Sequence, residues 1–295
     1  MKNVRPERPR IAYQGVPGAF SEQASLQFAD NGEPVGYSDF TSAFQAAFSG
    51  ECDYACLPVE NSWAGSINQT YDLLTDSELH VVGEQIVRVH HNLLVKPATP
   101  LEHIKRVYSH PQALAQCRSF IVRYKLEAVS DFDTAGAAKV LAENGDSSSA
   151  VIASKRAADI YGLEMLAERI EDFEHNYTRF FILGYGEANR SEGIQKSSLV
   201  LATRHRPGEL VACLELFPQH GINMTKLESR PRRDKPWSYL FYIDIEGHID
   251  EANVQAALTG LMRRAAYVKF LGAYEAAPTI INEDVSVVND TFNAV

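Results

Sequence analysis

The chain reads as an α/β protein in which two lobes of sheet and helix face each other across a cleft, followed by a smaller βαββαβ module of the ferredoxin-like kind. Three observations predict this. Short β-type runs alternate with helical periodicity over 11–161, the signature of parallel sheet with helices on both faces. The apolar run Phe180-Phe181-Ile182-Leu183 follows where that alternation ends. As a strand returning to the first lobe, it makes the chain cross between lobes twice and leaves a cleft between them. The stretch 186–196 is polar, glycine-bearing and aperiodic, which is linker composition, and the segment beyond it is ordered strand, helix, strand, strand, helix, strand.

Taken in order, Ile11-Ala12-Tyr13-Gln14 is a strand, 15–18 a turn, and Ser21 a candidate N-cap for a helix to Phe28. A second strand at 35–37, a helix over 42–48 and a third strand over 53–59 complete a βαβαβ unit. Residues 66–74 are again helical, and 79–95 form one long or broken extended segment. In the second lobe a strand ends at Tyr108, a helix covers 112–124, a strand lies near Val129, a helix covers 134–142, a strand covers 150–153 and a helix runs to Tyr161. Beyond the linker, strands are expected at 197–203, 222–228, 239–245 and 268–274. Helices are expected at 207–217, with Leu210, Leu214 and Phe217 on one face, and at 252–265, with Val254, Leu258 and Leu261 on one face. The tail after Pro278 is patternless and expected to be loosely ordered.

At 295 residues and 45% hydrophobic content, the chain can bury a core in each of about two domains. A formal charge of -10 repels polyanions, so no nucleic-acid or anionic-membrane partner is expected. The basic cluster over 230–235 reads as a solvated loop, with Arg230 as the candidate exception. Residues 1–10 are charged and carry Pro6 and Pro9 without an apolar core, unlike a signal peptide, and no later run is long enough to span a bilayer. Cys52, Cys56, Cys117 and Cys213 fit reduced thiols in a cytoplasmic protein. Cys52 and Cys56 would face the same side of a strand, but no second Cys or His pair stands at metal-ligand spacing, so no metal is expected.

Polar residues gather where strands end. Gly15-x-x-Gly18-x-x-Ser21 sets a glycine turn before a helix start, where backbone N–H groups attract an anion. Glu60, Asn61 and Ser62 close the third strand; Ser109 and Gln112, and then Asp133-Thr134, do the same in the second lobe. Asn176, Thr178 and Arg179 stand on the lip of the apolar strand that begins at Phe180. Each has a plain alternative: Ser109 or Asp133 as an N-cap, Glu60 as a solvated charge, His110 as a turn residue. Their shared position at strand ends facing one crevice favours a common cleft.

Over 11–184 the chain resembles the prephenate dehydratase family. The blocks are Gly15-Val16-Pro17-Gly18-Ala19-Phe20-Ser21-Glu22, Pro58-Val59-Glu60-Asn61-Ser62, His91-Asn92-Leu93-Leu94, Ser109-His110-Pro111-Gln112-Ala113-Leu114, Asp133-Thr134-Ala135 and Asn176-Tyr177-Thr178-Arg179-Phe180. The C-terminal module resembles that family's regulatory ACT domain through Arg206-Pro207-Gly208-Glu209-Leu210 and Glu228-Ser229-Arg230-Pro231. Ala19-Phe20 and Glu209 depart from the commoner residues, and Glu209 puts a carboxylate near the expected effector pocket.

The resemblance implies a periplasmic-binding-protein-like catalytic domain over 9–185 and an ACT domain over 197–275. It implies a carbon–oxygen lyase that converts prephenate to phenylpyruvate, in L-phenylalanine biosynthesis, without a cofactor. Thr178 and Arg179 are the implied catalytic pair. Ser21, Glu60, Asn61, Ser62, Ser109, Gln112, Thr134, Asn176 and Phe180 are the implied substrate-binding residues, with Arg179 either gripping a carboxylate or bracing the lobes through Glu60. L-Phenylalanine is the implied effector, read by Gly208, Leu210, Asn223, Glu228, Ser229, Arg230 and Pro231 in a homodimer or homotetramer. Two other readings stand beside it: arogenate dehydratase, whose substrate carries an amino group in place of the keto oxygen, and a non-catalytic amino-acid sensor.

Overall fold

The computed structural model describes residues 6–188, 190, 192–232, 235 and 237–278. The tail beyond Pro278 and part of the basic loop over 230–235 therefore lie outside the described residues. In the first lobe, β1 (Arg10–Gln14), α1 (Phe20–Phe28), β2 (Glu33–Tyr37), α2 (Phe40–Phe48) and β3 (Tyr54–Asn61) form the expected βαβαβ unit. A short β4 (Gly65–Ser66), α3 (Asn68–Thr75) and β5 (His80–Arg88) follow. Asp39 caps α2 by accepting from the Ser42 N–H at 2.8 Å. The N-cap of α1 is Ala19, not Ser21, and no side chain caps it; Ser21 stands one residue inside the helix.

The extended segment after α3 breaks at His90-His91, where the chain passes into the second lobe at β6 (Asn92–Val95). A 3₁₀ turn at Leu101–His103, β7 (Arg106–Ser109), α4 (Pro111–Gln116), α5 (Arg118–Arg123), β8 (Glu127–Ser130), α6 (Thr134–Asn144), β9 (Ser149–Ala153), α7 (Lys155–Tyr161) and β10 (Glu164–Ala167) make up that lobe. The helix expected over 112–124 is divided at Cys117, and β10 was not anticipated. The chain then returns as β11 (Tyr177–Gly184). The first sheet has the order β2-β1-β3-β11-β5, with β11 antiparallel to both neighbours; the second has the order β10-β6-β9-β7-β8. Both are mixed sheets, correcting the parallel expectation, because β11 in the first and β6 in the second enter antiparallel to their neighbours after the chain crosses between lobes; the two crossings leave the anticipated cleft between them. Cys56 packs with Ile11 and Ile182, whereas Cys52 lies before β3 among Phe44 and Ala47. The two thiols therefore face opposite sides of the first sheet, correcting the same-side expectation.

The C-terminal module has β12 (Gln195–Ala202), α8 (Glu209–Leu214), α9 (Leu216–Gln219), β13 (Met224–Pro231), β14 (Tyr239–Glu246), α10 (Ala252–Arg264) and β15 (Tyr267–Glu275), in a four-stranded antiparallel sheet ordered β13-β14-β12-β15. One sheet face packs on its own helices through Leu199, Leu201, Ile243, Ile245, Phe217 and Leu261. The other face shares a core with the first lobe: Val200, Tyr242, Leu271 and Tyr274 pack with Leu79, Val81 and Phe181. The two backbones come so close that a Cβ on Gly272 (φ +155) would lie 2.1 Å from the Val81 carbonyl oxygen. Lys269 Nζ donates to the Leu74, Thr75 and Ser77 carbonyl oxygens at 2.8, 2.8 and 2.6 Å, capping α3 from the neighbouring module. Among the described residues, no helix is long and apolar enough to cross a membrane.

Candidate active site

The antiparallel register of β3 and β11 sets Thr178 opposite Asn61 and Arg179 opposite Glu60. Successive side chains on a strand point to opposite faces, so the two neighbouring pairs part company. Asn61 and Thr178 face the cleft. Asn61 is 5% exposed, and its Nδ2 lies 3.0 Å from Thr178 Oγ1, 2.8 Å from Asn176 Oδ1 and 3.1 Å from the Tyr177 carbonyl oxygen. Its Oδ1 accepts from the Trp63 and Ala64 N–H groups at 3.1 and 2.9 Å, which fixes the amide orientation. With Asn61 donating to Thr178 Oγ1, the hydroxyl keeps its own proton for another acceptor.

Asn176 does not line the cleft but passes the network on, donating through Nδ2 to Gln116 Oε1 at 3.0 Å. His91 Nε2 stands 2.7 Å from the same oxygen. Gln116 Nε2 and His91 Nδ1 are buried and have no hydrogen-bond partner among the described residues, although both residues line the cleft. Such atoms carry a desolvation cost unless a bound molecule satisfies them. Burial holds His91 below the usual imidazole range, partly offset by the Gln116 hydrogen bond. His110 is likewise lowered by burial, with Asp133 opposing. Both rings are thereby favoured in the neutral form.

The cavity has a volume of about 220 Å³. Ser21 at the start of α1 and Thr134 at the start of α6 line it from opposite lobes, with Gln112, Phe180, Phe20 and His110 between. No Lys or Arg is among the described residues that line it. Attraction for an anion therefore falls to helix N-termini and neutral donors. Gln116 and His91 were not among the site residues assigned from sequence. Gln116 follows Gln112 by four residues and so shares its helical face, a signal available in the sequence.

Several expected site residues stand elsewhere. Arg179 turns away from the cleft: its Nε donates to Glu84 Oε2 at 2.6 Å, Nη1 to Asp244 Oδ2 at 2.5 Å and Nη2 to the Tyr274 hydroxyl at 3.0 Å. It also lies over the Phe181 ring, 4.8 Å from the centroid. Burial would lower its pKa, but Asp244, Tyr274 and Glu84 outweigh it and hold the guanidinium well above its ordinary value. The carboxylate-gripping role is corrected in favour of the bracing one, and the brace runs chiefly to the C-terminal module. Glu60 pairs with Lys226 at 2.9 Å and stands 3.8 Å from Arg179. Ser109 is fully buried and donates to the Ile152 carbonyl oxygen at 2.6 Å, tying β7 to β9. Ser62 Oγ donates to the His175 carbonyl oxygen and accepts from the Tyr177 N–H, both at 2.9 Å, fastening the end of β3 to the start of β11. None of these four lines the cleft.

The expected effector residues divide. Gly208 and Leu210 line one cavity of about 220 Å³ with Arg204, Arg206 and Tyr239. Arg230 and Pro231 line another of about 420 Å³, against Asp72, Thr75 and Tyr242 at the seam with α3. Arg230 donates to both Asp72 oxygens at 2.8 and 2.9 Å, and Glu228 accepts from Ser66 at 3.0 Å. Ser229 sits on β13 opposite Phe241, and the Asn223 carbonyl oxygen accepts from the Glu246 N–H. Glu209 stands 3.9 Å from Arg264.

Residues 11–188 match the sequence model of the family described as prephenate dehydratase. The chain is 42% identical over 275 residues to a bifunctional chorismate mutase/prephenate dehydratase of Neisseria gonorrhoeae, covering 92% of this chain and 76% of that one. It is 41% identical over 280 residues to the chloroplastic arogenate dehydratase/prephenate dehydratase 1 of Arabidopsis thaliana, covering 90% and 71%. Among solved structures, GqqA, described as a novel type of quorum quenching acylase, superposes with a TM-score of 0.84 at 35% identity over 91% of this chain and 98% of that one. A prephenate dehydratase from Arthrobacter aurescens in complex with L-Phe superposes with a TM-score of 0.83 at 31% identity, covering 91% and 90%.

Proposed function

The chain belongs to the prephenate dehydratase family, and from that premise we infer that its cleft converts prephenate to phenylpyruvate in phenylalanine biosynthesis. In this reaction the bond from a ring carbon to its hydroxyl breaks, as does the bond from the opposite ring carbon to its carboxylate. The carbon–carboxylate electron pair enters the ring, which becomes aromatic; CO₂ leaves, and hydroxide departs with one proton as water. Aromatisation supplies the driving force, so the protein's task is to orient a dianion and stabilise the departing oxygen. Thr178 does the second, its hydroxyl donating to the leaving oxygen as negative charge develops there.

The observation that carries this reading is the 3.0 Å hydrogen bond from Asn61 to Thr178 Oγ1, which leaves the Thr178 proton for the cleft. Ser21, Gln112, Thr134 and the Nε2 of Gln116 supply donors for the carboxylates, and Phe180 and Phe20 enclose the ring. Arogenate is the second reading, supported by Asp133, which lines the cavity: one of its carboxylate oxygens caps α6 by accepting from the Gly136 N–H, and the other is the acceptor for an ammonium in this reading. Side-by-side turnover of prephenate and arogenate, followed by product absorbance, tests both; failure to consume either refutes the dehydratase reading.

L-Phenylalanine is the effector in this reading, supported by the L-Phe-bound relative at 31% identity. Homodimeric or homotetrameric assembly runs through the C-terminal sheet, where β13 is an outer strand. A cytoplasmic setting agrees with four free, buried thiols.

A further inference from the structure

The cleft-facing pair Asn61–Thr178 is backed, one residue along each strand, by the pair Glu60–Arg179. The C-terminal module holds both members of that second pair. Asp244 on β14 takes Arg179 Nη1 at 2.5 Å and is itself fixed by Ser198 Oγ at 2.5 Å. Lys226 on β13 takes Glu60 Oε2 at 2.9 Å and also donates to Ser66 on β4 at 3.0 Å. Lys196 and the Ala277 N–H hold Glu84 Oε1, each at 2.9 Å, while its other oxygen receives Arg179. Arg179 is thus anchored to charged groups within a largely water-excluded seam, and the strand that carries it carries Thr178 next door.

We propose that Arg179 and Glu60 are positioning residues through which the C-terminal sheet sets the placement of the Thr178–Asn61 pair. This rests on the dehydratase reading for its kinetic test, but the mechanical claim stands apart from it. A strand residue cannot shift without moving its neighbour, because consecutive Cα atoms are held at a fixed separation by the planar peptide. Displacement of β13 and β14 from the first lobe therefore draws on both halves of the donor pair together. The same sheet faces the cavity lined by Arg230, Asp72 and Tyr242, so a molecule that moves the sheet has a direct route to the reacting residues.

The test compares Asp244→Asn and Lys226→Met with Lys269→Met in the full chain. All three weaken the seam, but Lys269 caps α3 and touches neither member of the Glu60–Arg179 pair. The first two should lower kcat roughly tenfold to a hundredfold, the scale of a small misplacement of catalytic groups, with KM within about twofold. Lys269→Met should leave kcat near that of the parent. A readout free of substrate accompanies this: amide exchange at Trp63 and Ala64, whose N–H groups are held by Asn61, should quicken in the first two variants and not in the third. If Asp244→Asn does not fold, Lys226→Met at the other half of the pair decides. Unchanged kcat and exchange in Asp244→Asn and Lys226→Met, or an equal loss in Lys269→Met, overturns the proposal. If the parent protein consumes neither prephenate nor arogenate, the dehydratase reading fails and the exchange comparison alone decides the positioning role.

Discussion

Replacing Thr178 with Val removes a hydroxyl and little else. The side chain stays β-branched and near in volume, so β11 keeps its strand preference and the cleft keeps its shape. The hydrogen bond that Asn61 Nδ2 donates to the hydroxyl oxygen is lost, but that nitrogen still donates to Asn176 Oδ1 at 2.8 Å and to the Tyr177 carbonyl oxygen at 3.1 Å. No buried donor is orphaned, and the stability cost should be about 1 kcal/mol, the net value of one hydrogen bond. For a chain of this size that corresponds to roughly 2–4 °C in thermal midpoint. Loss of a preorganised donor to a developing anion should cost much more in rate, about 2.7–4 kcal/mol or 10²–10³ in kcat. Steady-state turnover of prephenate and thermal unfolding, measured on the same preparation, separate the two quantities. A kcat within about threefold of the parent, with the fold intact, would refute the donor role and with it the reading of the Asn61–Thr178 bond.

Arg179→Lys keeps the charge but cannot serve Glu84, Asp244 and Tyr274 at once; an expected loss of about 2–3 kcal/mol of stability would be seen in urea unfolding, with KM for substrate unaltered. His91 is held below its ordinary value of 6.5 mainly by burial. As pH falls, the unfolded chain takes up a proton that the folded chain resists, so His91's contribution is complete above about 6.5 and is lost towards the lower folded value. His91→Gln should accordingly flatten the decline of the urea midpoint on acidification from about pH 7 to pH 5, and an unchanged slope would count against a buried neutral ring. Gly272→Ala places a Cβ 2.1 Å from the Val81 carbonyl oxygen, and backbone must yield; calorimetry should register a loss of about 1–3 kcal/mol, and an unshifted transition would mean that the seam is looser than its geometry.

The alternation that reveals β1, α1, β2, α2 and β3 is local, and those elements stand near where their periodicity puts them. The direction of Arg179 was not legible, and the reason is physical. A strand covered on one face shows its phase by alternating polar and apolar residues, but Phe180 to Leu183 is buried on both faces, one against the lobe and the other against the C-terminal sheet. With no alternation to fix the phase, Thr178 and Arg179 read as two residues of one site. The second cover also explains why the shared core was not apparent: Val200, Leu271 and Tyr274 look in sequence like the interior of their own module. Asn61, Ser21, Gln112 and Thr134 were readable because strand ends and helix starts converge in α/β folds. Ser109 and Ser62 share those positions, and only tertiary hydrogen bonds distinguish them from cleft residues.

The shared core bears on how the protein is made. When Gly184 leaves the ribosome, Leu79, Val81 and Phe181 can gather the rest of the first lobe around them, but their covering sheet ends only at Glu275. Synthesis of the intervening chain takes roughly 5–20 s at ordinary elongation rates, and throughout that interval an apolar face and the charged groups of Glu84 and Arg179 await partners not yet translated. A nascent lobe in that condition presents an adhesive surface to other chains. Its yield should depend on elongation speed between the two modules and on the supply of chaperones that shield such a face until the last strand arrives.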